Sequence, residues 1–288
     1  MVYVLSFVAA AGFALASVAQ YRASQSLSKD LNLRISLIGK LLKNADFLKG
    51  SLFDIIGVIA QFFALAIGPI SIVQPILAMG LAFALGIEHK LAGRRFRLLD
   101  IIASVITTLS LAYFVVLRGT KVIDHVQFST TLTVSISVLV LDLSVVLLGK
   151  VRKNTVPQLI VVVAAALSLG CGSVLEREVG ISLHKGVLYT ALFAPTWVLI
   201  LLAPISLLLV QSAFQLGSLK AVLPTLTVGE PTAALLLGAS MLGEGVMPSK
   251  GVVQGIAALI VMAVSLLYLA VSESRFRESV SRGEGTKG

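Results

Sequence analysis

Nine apolar runs, most of them close to the 20 or so residues a helix needs to cross a bilayer, leave this chain one way to satisfy its backbone. In hydrocarbon every N–H and C=O must bond within the protein, so the runs must be membrane-spanning helices. They fall at 2–21, 50–68, 70–88, 98–117, 128–149, 156–175, 187–214, 219–242 and 251–271. Gly68-Pro69 and Gly217-Ser218 divide two overlong runs into hairpins. Only 13% of the 288 residues are charged, against about 25% in a soluble domain, so a water-soluble fold is excluded. The lone cysteine, Cys171, gives neither a disulfide framework nor a thiolate metal site and reads as a small packing residue.

The net charge of +9 is compatible with nucleic acid, but the basic residues stand in short clusters between apolar runs. That is the pattern of membrane topology, and nucleic acid is not an expected partner. Placing the N-terminus outside puts 18 of the 23 Lys and Arg residues in cytoplasmic segments. The expected orientation is therefore N-out, C-in.

The chain also repeats itself. Gly68-Pro69-Ile70-Ser71-Ile72-Val73-Gln74-Pro75 returns, altered, as Gly217-Ser218-Leu219-Lys220-Ala221-Val222-Leu223-Pro224, while Arg22 matches Arg177 and Tyr113 matches Tyr268. An odd number of spans separates the copies, so the halves have opposite orientation, an architecture frequent in secondary transporters. The expected fold is all-α and polytopic, with inverted four-helix repeats at 1–126 and 156–272. Span 5 and a basic loop (127–155) join them, and a short charged tail (273–288) is expected to be disordered.

Two segments have rival readings. Ala14-Leu15-Ala16 resembles a signal-peptidase site. However, no basic residue precedes the first run, and Ala9-Ala10-Ala11 has a counterpart at Ala164-Ala165-Ala166, so the span is expected to be retained. Residues 23–49 carry Leu31, Ile35, Ile38 and Leu42 at helical spacing, with Arg34, Lys40 and Lys43 off that face. This predicts an amphipathic helix in the cytoplasmic interface, its bases on anionic headgroups.

Within the spans, each acid needs a reason. Asp54 and Asp100 are expected near cytoplasmic ends, where solvation is cheap. Glu230 lies mid-span, with Pro231 after it. An ionised group there costs about 3 kcal/mol, small enough for proton or cation binding to offset. The proline also frees a carbonyl one turn earlier. Glu230 is thus the leading candidate for a substrate-binding or proton-coupling acid. Asp142 is a weaker candidate, since span 5 has no counterpart in the repeat. Gln61, Gln74 and Gln211 are candidates to line a path, and Gln20 ends the first span. Pro75, Pro224 and Pro231, with Gly68 and Gly217, are candidate helix breaks at matched depths. Gly12-x-x-x-Ala16 and Gly251-x-x-x-Gly255 allow close helix approach and admit a homodimer.

Enzyme motifs are absent: there is no Walker loop, dinucleotide fingerprint or nucleophile elbow. No cofactor is expected, and His89, His125 and His184 lack metal-ligand spacing.

Ala60-Gln61-Phe62 through Gly68-Pro69 and Gln74-Pro75, then Glu88 before a basic loop, resembles the drug/metabolite transporter superfamily. So does Leu226-Thr227-Val228-Gly229-Glu230-Pro231 continuing to Leu242-Gly243-Glu244. The resemblance covers nearly the whole chain and is nearest to EamA-like bacterial members, with some similarity to NIPA-type magnesium transporters. It implies an inverted-repeat fold with a central cavity in a bacterial plasma membrane, moving small metabolites, drug-like solutes or ions. The chain departs from the NIPA pattern where Gly57-Val58-Ile59-Ala60-Gln61 replaces a Gly-Glu-Ile-Ala-Asn stretch. The missing carboxylate argues against magnesium, which wants charged oxygen ligands. The superfamily's usual tenth span is also missing.

The expected function is a secondary transporter of a small solute, acting through Glu230. Divalent-cation transport, lipid-carrier translocation and a non-transporting accessory role in an envelope enzyme complex are the alternatives. Leu81 fills the first-half position equivalent to Glu230, so the acid is not duplicated.

Overall fold

Small residues decide how the apolar segments meet. The computed structural model describes residues 1–67, 73, 76–77, 79–91, 98–118, 128–151, 156–183, 185–242, 251–262, 264–265 and 268. Regular structure among them is helical: α1 (Val2–Gln25), a 3-10 turn (Lys29–Leu31), α2 (Ile35–Leu41), α3 (Ala45–Ile67), α4 (Gly80–Leu91), α5 (Leu98–Arg118), α6 (Phe128–Val151), α7 (Gln158–Leu183), α8 (Val187–Leu192), α9 (Ala194–Leu216), α10 (Leu219–Leu242) and α11 (Val252–Met262). Six of these, α1, α3, α6, α7, α9 and α10, are long and apolar enough to cross a membrane. Shorter apolar helices lie at Ile101–Phe114 within α5 and at α11.

Helix α1 packs along α3 and against α4, and α7 packs along α9 and against α10. Gly12 admits the α3 backbone: a Cβ there would sit 2.9 Å from the Phe53 carbonyl oxygen and 3.1 Å from the Gly57 Cα. The expected small-residue motif is thus a packing seam within one chain. Glycines in both halves also face the alanine triplets at short range. A Cβ on Gly80 of α4 would meet the Ala10 carbonyl at 3.0 Å, and one on Gly229 of α10 would meet the Ala166 Cβ at 2.7 Å. Gly80 and Gly229 are related by the same step as Gly68 and Gly217, and both alanines belong to the repeated Ala-Ala-Ala triplets. Between the halves, Ala14, Leu81, Ala165, Leu209, Phe214 and Leu223 share one buried cluster, with Tyr21 edge-on to Phe214 at 6.0 Å.

Several boundaries differ from those expected. Helix α3 starts at Ala45 rather than near 50, because the Asn44 side-chain oxygen accepts from the N–H groups of Asp46 (2.9 Å) and Phe47 (3.2 Å). This is an N-cap, and Asp46 complements the helix dipole.

Residues 23–49 do not form one amphipathic helix. Helix α1 continues to Gln25, and α2 has only seven residues. Leu33 between them has φ 54°, a left-handed conformation costing a β-carbon-bearing residue about 1–2 kcal/mol. That break resets the helical phase. Leu33, Leu37 and Leu41 are buried, whereas Ile35 is 81% and Leu42 55% exposed. Leu33 is held in place by its N–H donating to Ser212 Oγ at 3.1 Å. Its side chain occupies space that any Cβ on Gly149 would invade.

The expected 187–214 span is divided at Phe193, with Pro195 in the first turn of α9, a position where its missing N–H costs nothing. Thr196 Oγ1 and Trp197 Nε1 donate to the Thr190 and Ala191 carbonyls at 2.8 and 2.9 Å. Lys185 stands over the Tyr189 ring at 5.1 Å. This cluster resembles the aromatic belts at membrane surfaces.

The expected breaks at Pro224 and Pro231 are not interruptions, because α10 is helical through both. Beside them, the Thr225 and Thr232 hydroxyls donate to the Ala221 and Val228 carbonyls at 2.8 and 2.7 Å. Gly217 does separate α9 from α10, with φ −118° and ψ 175°. Any residue adopts that backbone, so space is what selects glycine: a Cβ would collide with the Gln158 amide and with Val222 Cγ2. Gly68 and Pro75 lie outside the described residues.

Two glycines on α7 give a paired test. A Cβ on Gly170 would lie 2.5 Å from the Ala233 Cβ and 2.7 Å from both the Ala234 nitrogen and the Glu230 carbonyl oxygen, whereas one on Gly172 meets nothing within 4 Å. Gly170→Ala is expected to lower stability by about 1–3 kcal/mol through overpacking. Gly172→Ala should be neutral or stabilising by up to about 1 kcal/mol through helix propensity. Thermal unfolding of the purified variants reads both.

Candidate functional site

The polar side chains inside the bundle fall into three groups. In the first, Gln211 of α9 donates to Gln20 Oε1 at 2.7 Å and accepts from Ser24 Oγ at 2.7 Å, both on α1. Gln20 in turn donates to Asp54 Oδ2 of α3 at 3.3 Å. Gln20, Ser24 and Gln211 are all buried. This chain of amides and hydroxyls crosses from α9 of the second half to α1 and α3 of the first.

The second group extends that seam to the end of α9. Gln25 Nε2 donates to the carbonyls of Phe214 (2.6 Å) and Gly217 (2.9 Å), which a helix C-terminus leaves without intrahelical partners. Gln215 Nε2 donates to the Ser28 carbonyl at 2.8 Å, and Asn32 Nδ2 to the Ser212 carbonyl at 2.9 Å. The elbow between α1 and α2 is therefore fastened to α9 by reciprocal amide bonds.

The third group surrounds Glu230. Ser173 Oγ of α7 donates to Glu230 Oε1 at 2.8 Å. Glu176, one turn further along α7, is close enough to feel the charge of Glu230. Asp54 is close enough to act on Glu230 as well. Asp54 and Glu230 are half-buried and Glu176 is exposed. Asp54 lies nine residues into α3, roughly 13 Å along its axis at 1.5 Å per residue. It thus joins the Gln20–Gln211 chain to Glu230.

Among the expected site residues, Gln211 is drawn into the seam and Glu230 into the acid group. Gln61 is half-buried on α3, two turns beyond Asp54. Asp142 is fully buried on α6 beside Ser168. Gln74 lies outside the described residues, and the side chain of Pro231 is likewise not described. Among the described residues, no three His, Cys, Asp or Glu side chains converge to hold a metal ion.

Sequence reasoning missed Asp54, Glu176 and Ser173. Asp54 was placed near a helix end because the span was started five residues late; Asn44 followed by Asp46 was the available signal. The expected sixth span stops at 175, one residue short of Glu176, although α7 continues to Leu183.

An uncharacterized protein of Corynebacterium glutamicum is 28% identical to this chain over 270 residues, which cover 90% of this chain and 93% of the relative. The similarity therefore runs nearly end to end in both. No family model matches the chain, and no solved structure matches it.

The seam yields a double-mutant prediction. Gln20→Leu and Gln211→Leu each leave a buried partner unsatisfied, at about 1–3 kcal/mol. The double variant should lose less than the sum of the two, with a coupling of about 0.5–3 kcal/mol. Denaturation of all four proteins measures it, and simple additivity would show that the bond contributes nothing.

Proposed function

We propose that this chain is a secondary transporter of a small solute, with its site between two inverted halves. The observation that carries the reading is the acid group. Glu230 of the second half lies within electrostatic reach of Asp54 of the first half and of Glu176 on α7, partway along three helices. A cleft lined by one sign of charge concentrates counter-ions, and intramembrane carboxyls mark ion and substrate paths by default. The solute class this favours is cationic, or else neutral and moved with protons. The glycines that face the alanine triplets of both halves and the resemblance to the drug/metabolite transporter superfamily support the same reading.

In this proposal nine spans cross the plasma membrane of a bacterium, N-terminus outside and C-terminus inside. α4, α5 and α11 fall on the third, fourth and ninth. The exposed Ile35 and Leu42, with Arg34, Lys40 and Lys43, lie against the cytoplasmic leaflet and its anionic headgroups.

Orientation is checked by single cysteines in a Cys171→Ala background. A cysteine at Lys185 should react with an impermeant maleimide on intact cells, and one at Lys43 only after permeabilisation. The reverse result overturns the orientation.

The site is checked in two steps. A thermal-shift screen of the purified protein against cationic and neutral metabolites identifies a solute, since ligands stabilise the state they bind. In proteoliposomes, Glu230→Gln should then fold normally yet lose accumulation of that solute driven by a pH gradient. Undiminished accumulation would remove Glu230 from the mechanism.

A further inference from the structure

Helices α6 and α7 face each other along a polar strip apart from the Glu230 group. Thr131 Oγ1 donates to Glu178 Oε1 at 3.2 Å, Ser135 lies beside Cys171, and Asp142 lies beside Ser168. Asp142 is 0% exposed. Neither of its carboxyl oxygens has a hydrogen bond among the described residues. Ser168 Oγ is engaged with Ser206 Oγ of α9 at 2.5 Å, in a bond whose direction can run either way. Both serines are buried. Ser168 and Ser173 project from α7 about 140° apart at 3.6 residues per turn, so α7 stands as a wall between Asp142 and Glu230.

Charged groups on the elements packed around Asp142 lie at other levels. Helix α9 carries none between Ala194 and Leu216. On α6 itself, Lys150 is two turns away. On α7, Cys171 is within electrostatic reach, while Glu176, Arg177 and Glu178 stand eight or more residues beyond Ser168, roughly 12 Å or further along the axis. On α10, Lys220 is in the first turn, at the end where α9 closes, and Glu230 bonds to the other side of α7. A buried carboxylate without a cation or hydrogen-bond donor is among the costliest arrangements a protein interior can hold. A carboxylic acid next to a reversible hydroxyl pair is not.

We propose that Asp142 is a proton-binding site separate from the Glu230 group, with the Ser168–Ser206 pair as its reversible partner. With the proton bound, Asp142 donates to Ser168 Oγ and Ser168 donates to Ser206 Oγ. When the proton leaves to water, the hydroxyls turn: Ser206 donates to Ser168, and Ser168 donates to the carboxylate. Asp142 has a partner in both states, and the change is a rotation of two hydroxyl hydrogens with Ser168 drawn up to the carboxyl. The inference stands apart from the transporter reading, because it concerns binding of a proton and not movement of a solute.

Infrared difference spectra of the purified full-length protein, between acidic and alkaline buffer, test it directly. The wild type should show a protonated-carboxyl C=O band that vanishes on deprotonation. Asp142→Asn should lose that band, Glu230→Gln should keep it, and Ser168→Ala should shift it by removing its partner. An unaltered band in Asp142→Asn overturns the proposal. So does a band that disappears on adding sodium at constant pH, which would make the site one for a metal cation. If Asp142→Asn does not fold, Ser168→Ala decides: a shifted band supports the site and an unshifted one overturns it.

Discussion

Where α1 crosses α9, side-chain amides that find no water must find each other, and the arrangement of the two halves depends on that requirement. Apolar helices gain little from meeting in lipid, because the tails they displace are as apolar as their own side chains. Close glycine packing and interhelical hydrogen bonds must hold them. Gly12 and Gly57 bring α1 and α3 to backbone contact, while Gln20 and Gln211 join α1 to α9. Asp54 is held from the same Gln20 side chain, so the position of one acid of the candidate site follows from the seam. Glu230 then takes its place through the Gly170 contact, which sets how closely α10 lies against α7.

Much of this was legible before the structure. Composition pointed to an all-helical membrane chain, and the spacing of Gly12 and Ala16 gave a close helix contact. What escaped had physical causes. A hydropathy reading ends a span at the first charges, so it cut α7 before Glu176 and started α3 after Asn44. It assumed one helical phase across 23–49, which the backbone of Leu33 breaks. It also treated Pro224 and Pro231 as breaks, although α10 runs through both. Asp142 was seen, but only packing against α7 and α9 could reveal a carboxyl without a partner.

The sequence similarity between the two halves does not extend to their polar groups. Glu230 corresponds to Leu81, a buried core residue, and Gln20 corresponds to Leu175, which is also fully buried. By the step that relates Gly68 to Gly217, Asp54 corresponds to Ala203. Each polar position is thus answered by an apolar or small residue in the other copy. The shared contacts maintain the framework, and the unmatched side chains make its two sides chemically unequal. A chain of this kind need not treat the two faces of the membrane alike, even if its helices do.

The fastening between the elbow and the end of α9 is made by Gln25, Asn32, Ser212 and Gln215 with backbone carbonyls and an N–H, and none of these groups carries a net charge. Ions therefore have nothing here to screen, and no side chain in it gains or loses a proton across the physiological range. The joint between the halves is indifferent to the ionic and acid–base changes that act on the carboxyls nearby. Signals carried by salt or by protons can act on the interior of this protein while the joint that aligns its halves stays fastened.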